Sequence, residues 1–286
     1  MRVLVTGAAG QLGRAVQDVA RGHTVLPLTR VGGPTVANGT PVDLADAAAV
    51  AKAVQAAAPD WVLHAAAMTD VDGCERDPAA AHRVNALGTE AVAKAAAACG
   101  AGLVAVSTDY VFDGHKGHYT EADAPSPQSA YGRSKLEGER LALAAHPDAI
   151  IARTSVVFGP HKKNFVLWLL GELRAGRGVR IVRDQHVNPT LSLDLAEQCL
   201  ALMGARARGT FHTAGATSLS RLDMAHAVCT AFGLDAGLVT PVASSDLSWL
   251  APRPLDATLN TSKVSRIHPP MTFPAALQRL KALVPA

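Results

Sequence analysis

Hydrophobic positions in the first half of the chain follow two alternating patterns. Short unbroken apolar, β-branched runs read as buried strands, and longer alanine-rich stretches read as helices. Arg2-Val3-Leu4-Val5-Thr6 is the first strand, and the glycine-rich run from Gly7 to Gly13 follows it and opens a helix running to about Arg21. His23–Thr29 reads as strand two and Pro41-Val42-Asp43-Leu44 as strand three. Helices at about 46–57 and 78–99 flank the strand Trp61–Ala66, and Gly102–Ser107 is the strand after them. Strands separated by helices of this length require right-handed crossovers, which give a parallel sheet covered on both faces.

The pattern therefore predicts an α/β protein with a doubly wound parallel (Rossmann) sheet over residues 1–154. After the strand Ala149–Phe158 the alternation loosens. Gly159-Pro160-His161-Lys162-Lys163-Asn164 is a basic loop, Phe165–Leu173 an apolar helix, Val179–Val182 a strand and Leu193–Met203 a helix. Gly209–Ala214 reads as a late strand, so 178–215 is expected to return to the sheet. Helices at Arg221–Phe232 and Phe273–Leu283 complete a smaller C-terminal substrate-binding lobe made of 155–177 and 216–286.

Ligands of such sheets bind at the carboxyl ends of the strands, which places Gly7, Arg30, Asp43, Ala66 and Thr108 along one edge. Gly7-Ala8-Ala9-Gly10-Gln11-Leu12-Gly13 is G-x-x-G-x-x-G between a strand and a helix, the setting in which glycines let the backbone approach a pyrophosphate at a helix N-terminus. Strand two ends at Leu28-Thr29-Arg30, where the adenosine ribose of a dinucleotide belongs. An acid there would take both ribose hydroxyls, whereas Arg30 suits a 2′-phosphate, so NADPH is the expected cofactor and NADH a possible one. Arg30 facing solvent is the competing reading. Asp43 would accept from the adenine amino group or cap the helix beginning near Asp46. In Ala130-Tyr131-Gly132-Arg133-Ser134-Lys135, tyrosine and lysine stand four apart on one helix face, and an ammonium beside a phenol is expected to lower its pKa toward working pH and make it a proton donor.

Composition narrows the function further. A chain of 286 residues with 49% hydrophobic and 18% charged content can bury a large core. A net charge of +3 with pI near 8.8 is mild, and Lys and Arg form no run, which argues against nucleic acid. No apolar run is long enough to span a bilayer and a strand begins at residue 2, so a cytoplasmic protein without a secretion signal or membrane partner is expected. Cys74, Cys99, Cys199 and Cys229 lack zinc spacing and the eleven histidines lack H-x-x-x-H pairing, so no metal is expected. Trp61, Trp168 and Trp249 are assigned to packing.

These residues, together with His64-Ala65-Ala66-Ala67-Met68-Thr69-Asp70-Val71-Asp72, Val84-Asn85-Ala86-Leu87-Gly88 and Ser107-Thr108-Asp109-Tyr110-Val111-Phe112-Asp113-Gly114, resemble the extended short-chain dehydrogenase/reductases. Among them the resemblance is to the dTDP-4-dehydrorhamnose reductase family. It continues through Arg153-Thr154-Ser155, Asn164-Phe165, Asp184-Gln185, Asn188-Pro189-Thr190 and Arg253-Pro254, nearly the whole chain.

The resemblance implies NADPH-dependent reduction of the 4-keto group of a dTDP-6-deoxyhexose, with Thr108, Tyr131 and Lys135 catalytic. It implies cofactor contacts from Gly7, Gly10, Gln11, Leu12, Gly13, Arg30, Asp43, Leu44, Ala65, Ala66, Ala67, Asn85, Tyr131 and Lys135. Thr69, Val71, Asp109, Tyr110, Val156, Asn164, Gln185 and Arg253 would meet the nucleotide sugar. Asn85 would support a proton-relay water or be a buried helix residue; Lys162 and Lys163 would meet the ligand or form a solvated loop. Two positions depart from the family. A glutamate that joins a magnesium site in some members is Ala15 here, and the tryptophan of the Arg-Thr-Ser-Trp run is Val156. A nucleotide-sugar epimerase, or a non-catalytic subunit resembling the methionine adenosyltransferase β subunit, is the alternative. A dehydratase is disfavoured because Tyr110 stands where it would need an acid. The assembly is expected to be a monomer or homodimer.

Overall fold

A computed structural model describes residues 1–284. In chain order the strands are β1 (Arg2–Thr6), β2 (Thr24–Thr29), β3 (Thr40–Pro41), β4 (Trp61–His64), β5 (Gly102–Thr108), β6 (Ile150–Thr154), β7 (Val157–Phe158), β8 (Val179–Val182), β9 (His186–Val187), β10 (Thr190–Leu191), β11 (Gly209–His212), β12 (Leu219–Ser220) and β13 (Val239–Val242). The helices are α1 (Gln11–Val19), α2 (Ala47–Ala57), α3 (Val71–Arg76), α4 (Pro78–His82), α5 (Gly88–Ala98), α6 (Ala130–Ala145), α7 (Phe165–Arg174), α8 (Ser192–Gly204), α9 (Arg221–Phe232), α10 (Ser262–Ser265) and α11 (Phe273–Lys281).

Seven parallel strands form the central sheet in the order β11-β6-β5-β4-β1-β2-β3. The period of two along each strand divides the apolar residues between its faces. Val3, Val5, Leu63, Val104, Ile150 and Ala152 point toward α1, α7 and α8. Leu4, Val62, Leu103, Ala105 and Ile151 point toward α2, α5 and α6, where Val50, Val54, Val92, Ala96 and Ala142 meet them. Strand order reverses between β1 and β4, so the crevice beyond their carboxyl ends is the ligand position of this topology.

Several elements differ from the pattern-based expectation. Strand three ends at Pro41 rather than Leu44: Asp43 accepts from Ala45 N at 3.0 Å in a turn, and it is Asp46 that caps α2 through Ala49 N at 2.9 Å. The alanine-rich stretch 78–99 is interrupted by a π-helical turn, Arg83–Leu87. There the Asn85 carbonyl turns to accept from Thr89 Oγ1 at 2.7 Å, and Gly138 of α6 packs so close to it that a Cβ would stand 2.4 Å away. The run 149–158 is two strands, broken at Ser155-Val156, where Val156 takes φ +40°. Of 178–215, β11 joins the central sheet, but β8 does not: it pairs in parallel with β13, a strand the pattern did not show. A single apolar cluster runs from the sheet face into these elements, joining Val5 and Ile150 to Val179, Val228 and Phe273.

Candidate active site

A cleft of about 690 Å³ opens at the carboxyl ends of β1, β2, β4 and β5. Its first wall is the glycine loop. Gly7 holds φ +66° and lies against the β4 end so closely that a Cβ would stand 2.9 Å from Ala66 Cα. A Cβ on Gly13 would come within 2.5 Å of Ala8 Cα, so this glycine serves helix–strand packing beneath the cleft, while Gly7, Gly10, Gln11 and Leu12 line it. No side chain caps α1, which leaves its first N–H groups facing the cleft at the positive end of the helix. These features fit a dinucleotide pyrophosphate.

Arg30, Asp43 and Leu44 line the far end of the cleft with Leu28, Thr29 and Pro34. The Arg30 side chain is exposed. Ala65, Ala66, Ala67 and Thr69 line the β4 side, and Thr108, Tyr131, Lys135, Val156 and Asn164 the opposite end, where Lys162 and Lys163 also face in. Gln11 ties the two halves across this end, donating to Ser192 Oγ at 2.9 Å and accepting from Lys162 N at 2.8 Å.

Thr108 ends β5, and its hydroxyl donates to Asp109 Oδ1 at 3.0 Å and accepts from Tyr110 N at 3.2 Å. Tyr131 and Lys135 occupy the first turns of α6, whose N-cap Ser129 accepts from Gly132 N at 3.2 Å. Gly132 is required because a Cβ would stand 2.2 Å from the Tyr110 carbonyl. The expected drop in the Tyr131 pKa is not found. Burial pushes the phenol well above its ordinary value, the Thr108 hydroxyl pulls the other way, and Asp109 adds to the rise. Lys135 instead donates from Nζ to Val106 O at 2.8 Å, and burial brings it down to about 8 against the pull of Glu139. Below β1 and β4, His64 accepts from Thr6 Oγ1 at 2.8 Å through Nδ1 and donates to Thr89 Oγ1 at 3.0 Å through Nε2, a tautomer fixed by the bond Thr89 gives to Asn85 O. Burial and Lys135 lower it to about 3, so it is neutral.

The structure does not bring every candidate to the cleft wall. Asn85 is fully buried, accepting from Met68 N at 2.8 Å and donating to Met68 O and Ser134 Oγ at 3.0 Å each, so it pins the loop after β4 to α6. Val71 opens α3 outside the lining residues. Asp109, Tyr110, Gln185 and Arg253 form a separate group behind Tyr131. Burial raises Asp109 to about 6, although Ser155 Oγ and Thr108 Oγ1 both donate to it. The Tyr110 ring meets the Tyr131 ring edge-on, centroids 5.6 Å apart. Arg253, expected to meet the nucleotide sugar, is held by Asp72 at 2.9 and 3.1 Å, which keeps that carboxyl below its usual range. Arg221, which the sequence reading passed over as an ordinary helix residue, joins this group through Gln185.

One trio of possible metal ligands occurs among the described residues: Asp194, Glu197 and His268, with ligand atoms within 4.8 Å of one another. Arg279 already bonds both oxygens of Glu197, at 2.8 and 2.6 Å, and none of the three lines the cleft. No helix among the described residues is long and apolar enough to cross a membrane.

A doubly wound sheet with a glycine-loop cleft and, at the end opposite Arg30, a threonine, a tyrosine and a lysine defines an extended short-chain dehydrogenase/reductase. The family model described as RmlD substrate binding domain matches residues 1–283. The chain belongs to the dTDP-4-dehydrorhamnose reductase family. It is 41% identical to a dTDP-4-dehydrorhamnose reductase of Mycobacterium tuberculosis, covering 88% of this chain and 82% of that protein. It superposes with a TM-score of 0.91 on the crystal structure of a Bacillus anthracis dTDP-4-dehydrorhamnose reductase in complex with NADP, at 28% identity and 99% coverage of both chains. It is also 34% identical to the mouse methionine adenosyltransferase 2 subunit beta, over 93% of this chain and 82% of that one.

Proposed function

We propose that the protein is an NADPH-dependent reductase of the 4-keto group of a dTDP-6-deoxyhexose, taking dTDP-4-dehydrorhamnose to dTDP-rhamnose or acting on a related nucleotide sugar. The observation that carries this reading is that Thr108, Tyr131 and Lys135 share one end of a cleft whose other end is a glycine loop and Arg30. Residues 1–154, completed by β11, would hold the dinucleotide, and 155–177 with 216–286 would cover the sugar. Gly7, Gly10 and the open end of α1 would hold the pyrophosphate, and Arg30 the 2′-phosphate.

NADPH, when bound, supplies the hydride that reduces the carbonyl carbon. The chain supplies the proton and the positioning. Negative charge grows on the ketone oxygen during reduction, and a hydroxyl aimed at it stabilises that charge. Thr108 can turn its proton from Asp109 to the ketone while keeping its bond from Tyr110 N. Tyr131 is protonated at neutral pH, as an ordinary phenol is, and burial raises its pKa further, so it carries a proton to give. Lys135, charged below about pH 8, steadies the ribose hydroxyls and eases loss of the phenol proton. The same reading places the protein in the cytoplasm as a monomer or homodimer.

The test is the loss of NADPH absorbance with a panel of dTDP-, GDP- and UDP-4-keto sugars. Turnover of a dTDP-6-deoxy-4-ketohexose is the expected result. NADPH binding without turnover of any sugar would favour instead a non-catalytic role, the reading supported by the 34% identity to the methionine adenosyltransferase β subunit.

A further inference from the structure

We propose that Arg221, rather than Arg253, is the guanidinium that holds the diphosphate of the nucleotide sugar. The assignment rests on the nucleotide-sugar reading above. Arg221 is the first residue of α9; a backbone bond anchors it and two side-chain contacts fix its plane. Its backbone N donates to Gln185 O at 2.9 Å, its Nε donates to Gln185 Oε1 at 3.2 Å, and its guanidinium carbon lies 5.1 Å from the centre of the Phe165 ring. Both terminal amino groups are left without a hydrogen-bond partner among the described residues. A guanidinium carries five N–H donors in a fixed fork, so this one presents four unspent donors on a preset plane.

Its charge is equally unspent. Burial lowers the pKa of Arg221, with Arg253 pressing in the same direction. Of the two groups that pull it back up, Tyr110 is a phenol that burial keeps protonated, and Asp109 is already taken by Thr108 and Ser155 and is itself pushed up to about 6. A half-buried guanidinium beside a second one, with no carboxylate bonded to it, is unfavourable unless an anion arrives. Arg253 differs in this respect. Asp72 takes it on both terminal nitrogens, Nη1 also donates to Ala251 O at 2.9 Å, and the plane lies 4.8 Å over Trp249. It fastens the loop 249–254 to α3, with Ala251 N adding a bond of 3.0 Å to the same carboxylate.

The location fits the substrate's geometry. Phe165, the platform under Arg221, directly follows the cleft-lining Asn164. Tyr110 links the two groups: Arg221, Arg253 and Gln185 act on its hydroxyl, and its ring meets that of Tyr131. C1 and C4 are opposite corners of a pyranose. A sugar with its C4 ketone at Tyr131 and Thr108 therefore carries its C1 diphosphate one ring away, and Arg221, which lies just beyond the lining residues past Asn164 and Phe165, is the guanidinium the proposal places there.

Calorimetric titration of the full-length protein with dTDP, dTMP and NADPH tests the assignment. Wild type should bind dTDP tighter than dTMP, and Arg221→Met, which keeps the aliphatic stem, should weaken dTDP by about 10- to 100-fold, dTMP less, and NADPH not at all. Arg253→Met should weaken dTDP less than Arg221→Met does. Equal loss for all three ligands, or dTDP binding unchanged in Arg221→Met, overturns the assignment and leaves Arg221 a structural residue or a bystander. If wild type binds neither dTDP nor dTMP, the nucleotide-sugar reading falls and takes this one with it. Should Arg221→Met not fold, phenylglyoxal labelling of wild type read by mass spectrometry decides the question: dTDP must protect Arg221 and thymidine must not, and absence of protection overturns the proposal.

Discussion

Replacing Tyr131 by phenylalanine separates proton donation from packing, because everything the ring does survives. The ring packs with Met68, Cys74, Ala81 and Ala130 and meets Tyr110 edge-on at 5.6 Å; phenylalanine fills the same space. Only the hydroxyl is lost, and its polar neighbour Thr108 keeps Asp109 as a partner, so the stability cost should be about 1 kcal/mol or less. Removing a positioned general acid costs about 10²- to 10⁴-fold, roughly 3–5.5 kcal/mol of barrier. Thr108 still stabilises the oxyanion and water can deliver a proton slowly, which places the expected fall in kcat toward the lower end of that range. NADPH affinity should stay near wild type. The measurements are kcat from NADPH absorbance, the NADPH Kd from fluorescence quenching, and Tm. A pH series adds a control: Lys135, at about 8, loses its charge as pH rises, so kcat/KM for NADPH should fall above about pH 8 in wild type and variant alike. Wild-type turnover in the phenylalanine variant would refute the acid assignment, and a matching loss of NADPH binding would make Tyr131 a cofactor contact.

Arg30→Ala should weaken NADPH more than NADH, by about 1–3 kcal/mol; equal effects on the two dinucleotides would remove the 2′-phosphate from Arg30. Val156 lines the cleft at φ +40°, a conformation that penalises a β-branched side chain, and it offers a sugar no flat face. Wild type should accept several 4-keto sugars and Val156→Trp should sharpen the preference, since one packing contact discriminates by about 1–3 kcal/mol; strong wild-type selectivity left unimproved by tryptophan goes against this. His64 titrates at about 3 in the folded chain against 6.5 unfolded, so its contribution is fully present above about pH 6.5 and is lost as pH falls toward 3. At pH 4.5 that loss is roughly 2.5 kcal/mol, and His64→Asn should show a shallower fall of Tm with acid than wild type; parallel curves would contradict it.

The sequence by itself determined the central sheet, the glycine-loop cleft and the tyrosine–lysine pair at its end, the role of Thr108 entering only through the family resemblance. Each of these is written in local pattern: apolar runs bounded by glycine or alanine-rich helices, a G-x-x-G-x-x-G run between strand and helix, tyrosine and lysine one turn apart. Tertiary structure decided what depends on distant partners. β8 reads as another sheet strand until β13, a run containing Pro241 with no clear period, is found to pair with it. The break at Val156 divides a run that reads as one strand from 149 to 158, and there Val156 O accepts from Thr190 N at 3.2 Å in the β7–β10 pairing, a contact no periodicity announces. The charge states followed the same rule. Tyr131 and Lys135 are neighbours on a helix in sequence, but burial under the walls of the cleft raises one and lowers the other, and burial is a property of the whole fold. Arg221 and Arg253 look alike as residues. Asp72, on a helix from the other half of the chain, satisfies one and leaves the other free.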